Sequence, residues 1–279
     1  MSDLLARSSA HWSEAGRAGM EAFYRLATDD YRHLARARNW RALFEQAQSR
    51  VGDRPLRLLD VACGSGKFPN ALVRHAGLAE AGIRPVDTAL LDPSAFSIAE
   101  ARAALPAPFH ATAEHETTLQ GFAPPEDGYD IVWATHALYA IPEEEIAAAM
   151  ERFRAAIAPG GIGLIAHSAE AGHYIGFHRR YLAAFGSGGA APYVSAEAIA
   201  RTLRGAGAEV AVQDIAYDSI AGPDETAAVE GYLQRCVFDD RASLAEMEAT
   251  APLADYLATC RRPEGWRFPQ HVRLMTVTG

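Results

Sequence analysis

Cysteine is scarce in this 279-residue chain, and its three cysteines stand far apart with no Cys-x-x-Cys pair. Their odd number and wide spacing argue against a disulfide framework or a zinc site, so we expect no metal and reduced thiols in a cytoplasmic protein. Long apolar runs are also missing, since none approaches the ~18 residues of a membrane span. The first residues mix charges with short apolar pieces, unlike a signal peptide. We therefore expect no membrane partner.

Clusters of positively charged residues are also lacking. The formal net charge is −9, from 26 Lys and Arg against 35 Asp and Glu, and there is no long basic run. Binding to a phosphate backbone depends on clustered Lys and Arg. We therefore expect no nucleic-acid partner, and a small neutral or cationic substrate fits the charge more easily.

One stretch of small residues, Ala62-Cys63-Gly64-Ser65-Gly66, joins an apolar run to a helical pattern. A glycine has no Cβ, so the backbone can take positive φ and a ligand can lie close against it. Amides at the start of the following helix then point at that ligand. The spacing Asp60-x-Ala62-x-Gly64-x-Gly66 is typical of the loop that binds S-adenosylmethionine, with alanine where glycine is more usual.

Other interpretations of this loop remain open. A P-loop needs a glycine at the position of Val61 and a Ser or Thr at that of Phe68, so it is excluded. A dinucleotide fingerprint needs a third glycine where Pro69 stands, which weakens that interpretation. A strand–turn–helix corner that binds nothing also fits the pattern.

The fold class follows from the order of the patterns. Apolar runs at 57–61, 88–91, 109–113, 129–133 and 162–166 alternate with helical patterns, which predicts a parallel sheet with helices on both faces. Further strands are predicted at 209–217 and 272–277. We predict an α/β fold with a doubly wound, Rossmann-like, seven-stranded, mostly parallel sheet. The predicted units are an N-terminal helical cap over 1–50, a core over 51–222, a helical insertion over 223–265, and the last core strand over 266–279.

Two segments are predicted to be irregular. Thr28-Asp29-Asp30 has the composition of an N-cap that interrupts the N-terminal helices. The segment 169–192 is aromatic and basic, then glycine-rich at 185–189, which predicts either a mobile loop near the site or a solvated connector.

Cofactor contacts are predicted along the carboxyl ends of the strands. Asp92 ends the second strand, where a doubly wound fold holds ribose hydroxyls, although a helix cap is the alternative role. Residues 114–118 follow the third strand and could edge an adenine. The predicted cofactor-binding residues are Asp60, Ala62, Cys63, Gly64, Gly66, Asp92, Pro93, Ser97, Glu114, Thr118 and Thr135.

With these segments placed, the chain resembles the class I S-adenosylmethionine-dependent methyltransferases over roughly residues 50–220. The resemblance rests on Asp60–Gly66, Asp92, Tyr129–Val132 and Ala158–Gly161. It implies S-adenosylmethionine as cofactor and S-adenosylhomocysteine as product.

A closer resemblance is to histamine N-methyltransferase. It rests on Leu91–Ser94, Glu116–Thr118, His136–Tyr139 and Tyr193–Ser195. That family holds its amine with an acid in the N-terminal helices and an amide-bearing residue after the fourth strand. The resemblance implies Asp29 or Asp30 as the acid, and it places His136 at the amide position. The family's terminal-strand asparagine has no clear match, and Gln270 and His271 lie nearest.

Methyl transfer from a sulfonium is a displacement with an activated leaving group, so the protein mainly aligns the reactants. The nucleophile needs a free lone pair. His136 could take a proton from it, because the unperturbed pKa of histidine lies near the working pH, or it could be structural. The predicted catalytic residues are His136 and Tyr139, and the predicted substrate-binding residues are Tyr24, Asp29, Asp30, Tyr31 and His271.

The sequence therefore predicts a methyltransferase that acts on a small molecule, with N-methylation of a small amine or imidazole-like metabolite favoured. O-methylation of a hydroxylated or carboxylic metabolite is the alternative. An NAD-dependent dehydrogenase and a catalytically silent S-adenosylmethionine-binding protein are more distant alternatives.

Overall fold

A computed structural model describes residues 3–80, 82–186 and 192–278. An eight-stranded sheet lies at its centre, in the order β3-β2-β1-β4-β5-β8-β6, with β7 paired only to β8. The strands are β1 (Leu56–Val61), β2 (Val86–Asp92), β3 (Phe109–Glu116), β4 (Tyr129–Thr135), β5 (Ile157–Ser168), β6 (Glu209–Ala221), β7 (Arg261–Arg262) and β8 (Gly265–Thr278).

The sheet is mostly parallel, as the sequence predicts. Strands β1 to β5 pair in parallel, whereas β8 runs antiparallel between β5 and β6. The prediction of a doubly wound, mostly parallel α/β sheet is confirmed, and the two-residue β7 adds an eighth strand. The strand order reverses between β1 and β4, and ligands of such sheets bind outside the carboxyl ends of the strands at this switch point.

Helices cover both faces of the sheet. They are α1 (Asp3–His11), α2 (Arg17–Arg36), α3 (Trp40–Val51), α4 (Lys67–His75), α5 (Ala95–Ala104), α6 (Ile146–Ala155), α7 (His173–Phe185), α8 (Ala196–Gly205), α9 (Thr226–Val237), α10 (Leu244–Ala249) and α11 (Leu253–Cys260). The side chains of Ser94 and Ser195 cap α5 and α8, each by accepting a backbone N–H three residues further on. Across the described ranges, no helix has both the length and the apolar character needed to cross a membrane.

Both faces of the central strands are buried. On one face Phe68 of α4 packs edge-on against Trp133 of β4, with ring centroids 5.0 Å apart, within a core that also includes α3. On the other face, Met150 and Phe153 of α6 pack with Leu203 of α8. Burial on both sides explains why these strands appear in the sequence as continuous apolar runs.

A third core joins the N-terminal helices to the late helices. It is rich in aromatic side chains from α7, α9 and the start of β8, including Tyr174, Phe177, Tyr232 and Phe268. This core holds α2, α7 and α9 together beside the carboxyl ends of the strands.

The predicted break at Thr28-Asp29-Asp30 is wrong, because α2 runs without interruption from Arg17 to Arg36. The Thr28 hydroxyl donates to the carbonyl of Tyr24 one turn earlier, at 2.8 Å. Asp29 pairs with Arg32 along the same helix, at 2.9 Å. The side chains of Thr28 and Asp29 are thus satisfied within the helix and do not terminate it, whereas Asp30 faces inward and accepts from Tyr174 of α7.

The predicted loop or connector after β5 is also wrong in part, since α7 occupies most of it. Tyr174, Phe177 and Tyr181 recur at helical spacing and are all buried, so the segment has an apolar face to pack. The glycine-rich part, from residue 187 to residue 189, lies outside the described residues.

Candidate active site

The loop after β1 turns the chain sharply into α4. Ala62, Gly64 and Gly66 have φ angles of 50°, 52° and 67°, in the left-handed region. A Cβ built on Gly64 would meet only the hydroxyl of Tyr24, at 3.8 Å. Gly64 therefore presents bare backbone to open space, as a close ligand contact requires.

Gly66 serves packing rather than ligand approach. A Cβ at this position would lie 3.3 Å from both Cα and O of Ala101 in α5. Gly66 does not line the cavity described below. Its missing side chain lets α4 and α5 approach each other, and its predicted contact with the cofactor stays a prediction.

Asp92 is held by backbone donors at the end of β2. Its Oδ2 accepts the N–H of Gly64 at 3.2 Å, and its Oδ1 accepts that of Ser94 at 2.9 Å. Burial raises the pKa of this carboxyl to about 6. Ser94, not Asp92, caps α5. Each carboxylate oxygen keeps a lone pair for a further donor, so Asp92 can accept hydroxyl groups of a ligand.

Asp60 lies at the base of the same region. It is 3% exposed and stands in register with Trp133 on β4. Burial raises the pKa of the Asp60 carboxyl to about 7. It contributes a polar group to the floor of the site, directly beneath the loop.

A single cavity extends from this loop to α7, at the carboxyl ends of β1, β2 and β4. This is the position that the strand order favours for a ligand. The sequence-predicted residues that line it are Tyr24, Asp30, Tyr31, Asp60, Ala62, Cys63, Gly64, Asp92, Pro93, Thr118, Thr135, His136 and Tyr139.

Two of the predicted substrate residues lie elsewhere. Asp29 is not part of the cavity lining, and it pairs with Arg32 on the outer side of α2. His271 lies on β8, where its Nε2 is 2.9 Å from Oδ1 of Asp214 on β6. Asp29 and Asp30 are adjacent in sequence but about 100° apart around the helix, so only one of them faces inward.

Two predicted cofactor residues also lie outside the cavity. Strand β3 continues to Glu116, so Glu114 belongs to the strand and its carboxylate lies 2.5 Å from Arg102. Ser97 is buried in the first turn of α5, where its backbone N–H donates to the hydroxyl of Ser94 at 3.2 Å. The third strand was predicted to end at residue 113, but β3 ends at Glu116. Of the predicted segment 114–118, Thr118 lines the cavity.

Aromatic rings form the walls beyond the loop. The ring of Tyr31 meets the imidazole of His136 edge-on at 5.9 Å, and Tyr174 lies 6.0 Å from the same imidazole. Tyr139 stacks near Tyr174 with ring centroids 5.5 Å apart. This end of the cavity therefore suits a flat or cationic group.

A hydrogen-bond chain fixes the imidazole of His136. The N–H of Ser168 donates to the hydroxyl oxygen of Tyr139 at 3.2 Å, which leaves the hydroxyl proton for Nδ1 of His136 at 3.1 Å. Nδ1 is then an acceptor, and a neutral imidazole carries its proton on Nε2. Nε2 is buried without a hydrogen-bond partner among the described residues. We assign this tautomer from the network, and it gives the cavity a donor.

Burial, together with a smaller effect of the nearby His167, lowers the pKa of His136 to about 3. The expectation that His136 acts as a base near its ordinary pKa is therefore corrected. In this environment the imidazole is neutral and a weak base, because water cannot stabilise its charged form.

Burial shifts the pKa of Asp30 in the opposite direction from that of His136. Asp30 is 3% exposed, and its Oδ2 accepts the hydroxyl of Tyr174 at 2.8 Å. Its Oδ1 is buried and has no hydrogen-bond partner in the described part of the chain. Burial raises the pKa of Asp30 to about 7, and the nearby hydroxyl groups of Tyr217 and Tyr174 oppose this rise. At the end of the cavity near α7, Asp30 therefore titrates near neutral pH and His136 does not.

Sequence reasoning missed several residues that line the cavity. They are Trp12, Tyr174, Tyr193 and Arg235, among others. Tyr174 could have been found from the helical spacing of the aromatic residues in α7. Arg235 carries no such signal, because an arginine within a helical pattern is usually solvated.

The tautomer of His136 can be tested directly. We expect Tyr139→Phe to release Nδ1, so that 15N NMR shows a mixture of neutral tautomers instead of the single Nε2–H form. Tyr193→Phe is the matched control, since the hydroxyl of Tyr193 has no hydrogen-bond partner among the described residues. The parent imidazole should stay neutral at pH 5. A protonated His136 at that pH would contradict the assignment.

Comparison with known proteins agrees with this geometry. The methyltransferase domain family matches residues 29–213, which is more than half of the chain. No curated protein matches the sequence at a significant level. The chain belongs to this family, and its fold and loop after β1 make it a class I S-adenosylmethionine-dependent methyltransferase.

Solved structures share the fold at low sequence identity. A putative methyltransferase from Bacillus halodurans C-125 has a TM-score of 0.54 and 14% identity, covering 84% of this chain and 97% of that one. Magnesium protoporphyrin IX methyltransferase from Synechocystis PCC 6803, with bound S-adenosylmethionine, has a TM-score of 0.52 and 12% identity, covering 100% and 99%. The plantazolicin methyltransferase, in complex with S-adenosylhomocysteine, has a TM-score of 0.50 and 10% identity, covering 98% and 96%.

Proposed function

We propose that this enzyme transfers a methyl group to a small, flat molecule, and that N-methylation of a small amine or imidazole-like metabolite is its reaction. The observation that carries the proposal is one cavity that joins the loop at Gly64 to the buried carboxyl of Asp30. Tyrosine rings line the path between them. The cap over 1–50 and the insertion over 223–265 both contribute to this cavity, which supports them as the units that enclose the acceptor.

The residues present fit S-adenosylmethionine. The space in front of Gly64 is open, and Asp92 has spare acceptor capacity beside it. We propose that Asp92 accepts the ribose hydroxyls and that Thr118 edges the adenine. When bound, the cofactor supplies a methyl group on a sulfonium sulfur, which is an activated leaving group. The chain's own residues then bind the acceptor, orient it and exclude water.

Asp30 is the proposed binding group and proton acceptor for the amine. An alkylammonium must lose a proton before its lone pair can attack, and Oδ1 of Asp30 accepts no hydrogen bond from the described residues. The pKa of Asp30, raised by burial to about 7, suits proton transfer at neutral pH. Tyr174 donates to the other oxygen and so holds the carboxylate in place.

His136 is the proposed donor that orients the acceptor. Its Nε2–H offers one hydrogen bond, to a lone pair of the substrate that does not attack the methyl group. An amide-bearing residue, as in histamine N-methyltransferase, offers both a donor and an acceptor. The side chain of Gln270 donates to Ser219 and Tyr232 and does not line the cavity. The proposal is therefore a small amine, without a commitment to histamine.

O-methylation is a second candidate, favoured by one observation. A buried carboxyl that titrates near neutral pH can also remove the proton of a phenol or an activated hydroxyl. The same cavity would then bind a hydroxylated metabolite against the tyrosine rings. The dehydrogenase alternative is wrong, because the chain belongs to a methyltransferase family.

The experiment follows a labelled methyl group. The enzyme is incubated with methyl-labelled S-adenosylmethionine and a panel of flat amines, imidazoles, phenols and carboxylic acids, and the products are identified by mass spectrometry. We expect the label on nitrogen of an amine or imidazole. Label on oxygen alone would favour the second candidate. Calorimetric binding of S-adenosylhomocysteine without transfer to any compound would favour a catalytically silent protein.

A further inference from the structure

A buried cation lies in the cavity, and none of the ion pairs formed by the described residues includes it. Arg235 of α9 is 3% exposed, and its side chain is part of the cavity lining. No carboxylate of the described side chains forms an ion pair with it. A buried charge is costly unless it is paired, so an unpaired guanidinium in a ligand cavity requires an explanation.

Main-chain carbonyl groups hold the guanidinium in place. Nη1 donates to the carbonyl of His11, the last residue of α1, and Nη2 donates to that of Gly16 at 3.0 Å. The guanidinium also lies over the ring of Trp12, 5.0 Å from its centroid. A guanidinium has five N–H donors, so these two contacts leave others free. Burial lowers the pKa of Arg235 to about 10, and the group stays charged at neutral pH.

Hydroxyl groups surround this end of the cavity. Ser8 and Ser9 of α1 line it, together with Tyr24 of α2. The hydroxyl of Tyr24 accepts a hydrogen bond from the hydroxyl of Ser65 at 2.9 Å, which ties α2 to the loop after β1. The ring of Trp12, over which the guanidinium lies, is 5.9 Å from the ring of Tyr24, so Arg235 lies toward the loop end of the cavity. The other end of the cavity carries the carboxyl group of Asp30 instead.

We propose that Arg235 binds a carboxylate of the bound ligand, namely the α-carboxylate at the amino-acid end of S-adenosylmethionine. This inference rests on the proposed function, because it needs that cofactor in the cavity. Arg235 pairs well with a carboxylate, since its fork of N–H groups matches the two oxygens. Arg235 also contacts His11 and Gly16, so a carboxylate bound to it would hold α9 and the α1–α2 junction together over the cofactor.

The test compares two ligands that differ only at this end. S-adenosylhomocysteine and 5′-methylthioadenosine share the adenosine and the sulfur, but only the first carries the amino-acid carboxylate. Calorimetry measures both affinities for the parent, for Arg235→Met and for Arg235→Lys. We expect Arg235→Met to weaken S-adenosylhomocysteine about 10- to 100-fold, the range for a hydrogen bond to a charged group, with little change for methylthioadenosine. Arg235→Lys should recover part of the affinity.

A second variant controls for the general field of the cavity. Lys67→Met removes another cation of the cavity lining, whose Nζ lies 4.6 Å from the ring centroid of Tyr24. We expect Lys67→Met to weaken S-adenosylhomocysteine relative to methylthioadenosine much less than Arg235→Met does. Equal losses in the two variants, or a selective loss in Lys67→Met alone, would overturn the assignment to Arg235.

The remaining outcomes are also decisive. If Arg235→Met and Arg235→Lys weaken both ligands alike, Arg235 only holds helices together, and thermal unfolding should show the same loss. If both variants bind both ligands as the parent does but raise KM for an acidic methyl acceptor, the carboxylate belongs to the acceptor. Either result overturns the assignment to the cofactor. If the parent binds neither ligand, the proposed function itself fails, which is a different result from a loss confined to the variants.

Discussion

Gly64→Leu should abolish binding of S-adenosylhomocysteine, with a loss on the order of 100-fold or more, equivalent to about 3 kcal/mol. A side chain at this position would project into the space where the ligand must lie, since a Cβ meets only the hydroxyl of Tyr24 at 3.8 Å. The φ angle of 52° adds backbone strain of about 1–2 kcal/mol. Calorimetry on the folded variant measures the affinity.

Gly77→Leu separates the two effects. Gly77 has a similar φ of 69°, follows α4 at the surface, and has nothing within 4 Å of a built Cβ. This variant carries the strain without blocking the cavity, so it should bind S-adenosylhomocysteine as the parent does. Comparable affinity in the Gly64 and Gly77 variants would mean that the ligand does not approach the loop.

Asp30→Asn should lower turnover by about 100-fold or more, the size of a general-base contribution, while the affinity for S-adenosylhomocysteine stays the same. An asparagine keeps the shape but cannot take a proton from the acceptor. In the parent, kcat/KM should rise as the pH increases through about 7, because the carboxylate form is the active one. The kinetics are measured on the acceptor found by labelled transfer.

Asp29→Asn is the matched control for this variant. Asp29 is the neighbouring residue on α2 and its pair with Arg32 lies at the surface, where such pairs contribute about 0–1 kcal/mol. We expect unchanged turnover and a nearly unchanged free energy of unfolding. A similar loss of turnover in both variants would point to a general effect of charge on α2, not to proton transfer at Asp30.

The substitution Asp30→Asn also has a pH-dependent effect on stability. The pKa of Asp30 is raised from 3.8 to about 7 in the folded protein, so the carboxyl is protonated more readily when folded than when unfolded. Its contribution to stability is fully present below pH 4 and is lost as the pH rises toward 7. Relative to the parent, Asp30→Asn should therefore gain a few kcal/mol between pH 4 and pH 8. A difference that does not change with pH would contradict a raised pKa of Asp30 in the folded protein.

The cofactor end of the site could be predicted because its signals are local. A run of small residues after an apolar strand, and an acid at the end of the next strand, each constrain the backbone nearby. The placement of Gly64 and Asp92 in one cavity follows from the parallel strand order alone. Gly66 shows the limit of this reasoning, because its need for a missing Cβ comes from a different helix, at Ala101.

The acceptor end could be predicted only in part because its properties depend on packing. Whether Asp29 or Asp30 faces inward depends on the rotation of α2 against α9, which the sequence does not display. The exchange of roles between His136 and Asp30 has the same origin, since burial lowers one pKa and raises the other. Arg235 comes from a helix far along the chain, and only the tertiary fold brings it to the cavity.

A crystal structure with S-adenosylhomocysteine tests the central claim most directly, namely that one cavity holds the cofactor at the loop and presents its methyl group to Asp30. We expect the ribose hydroxyls within hydrogen-bond distance of Asp92, about 2.6–3.2 Å, and the sulfur facing the space bounded by Asp30, His136 and Tyr139. A ligand that leaves Asp92 without contact, or whose sulfur faces away from Asp30, would contradict the account.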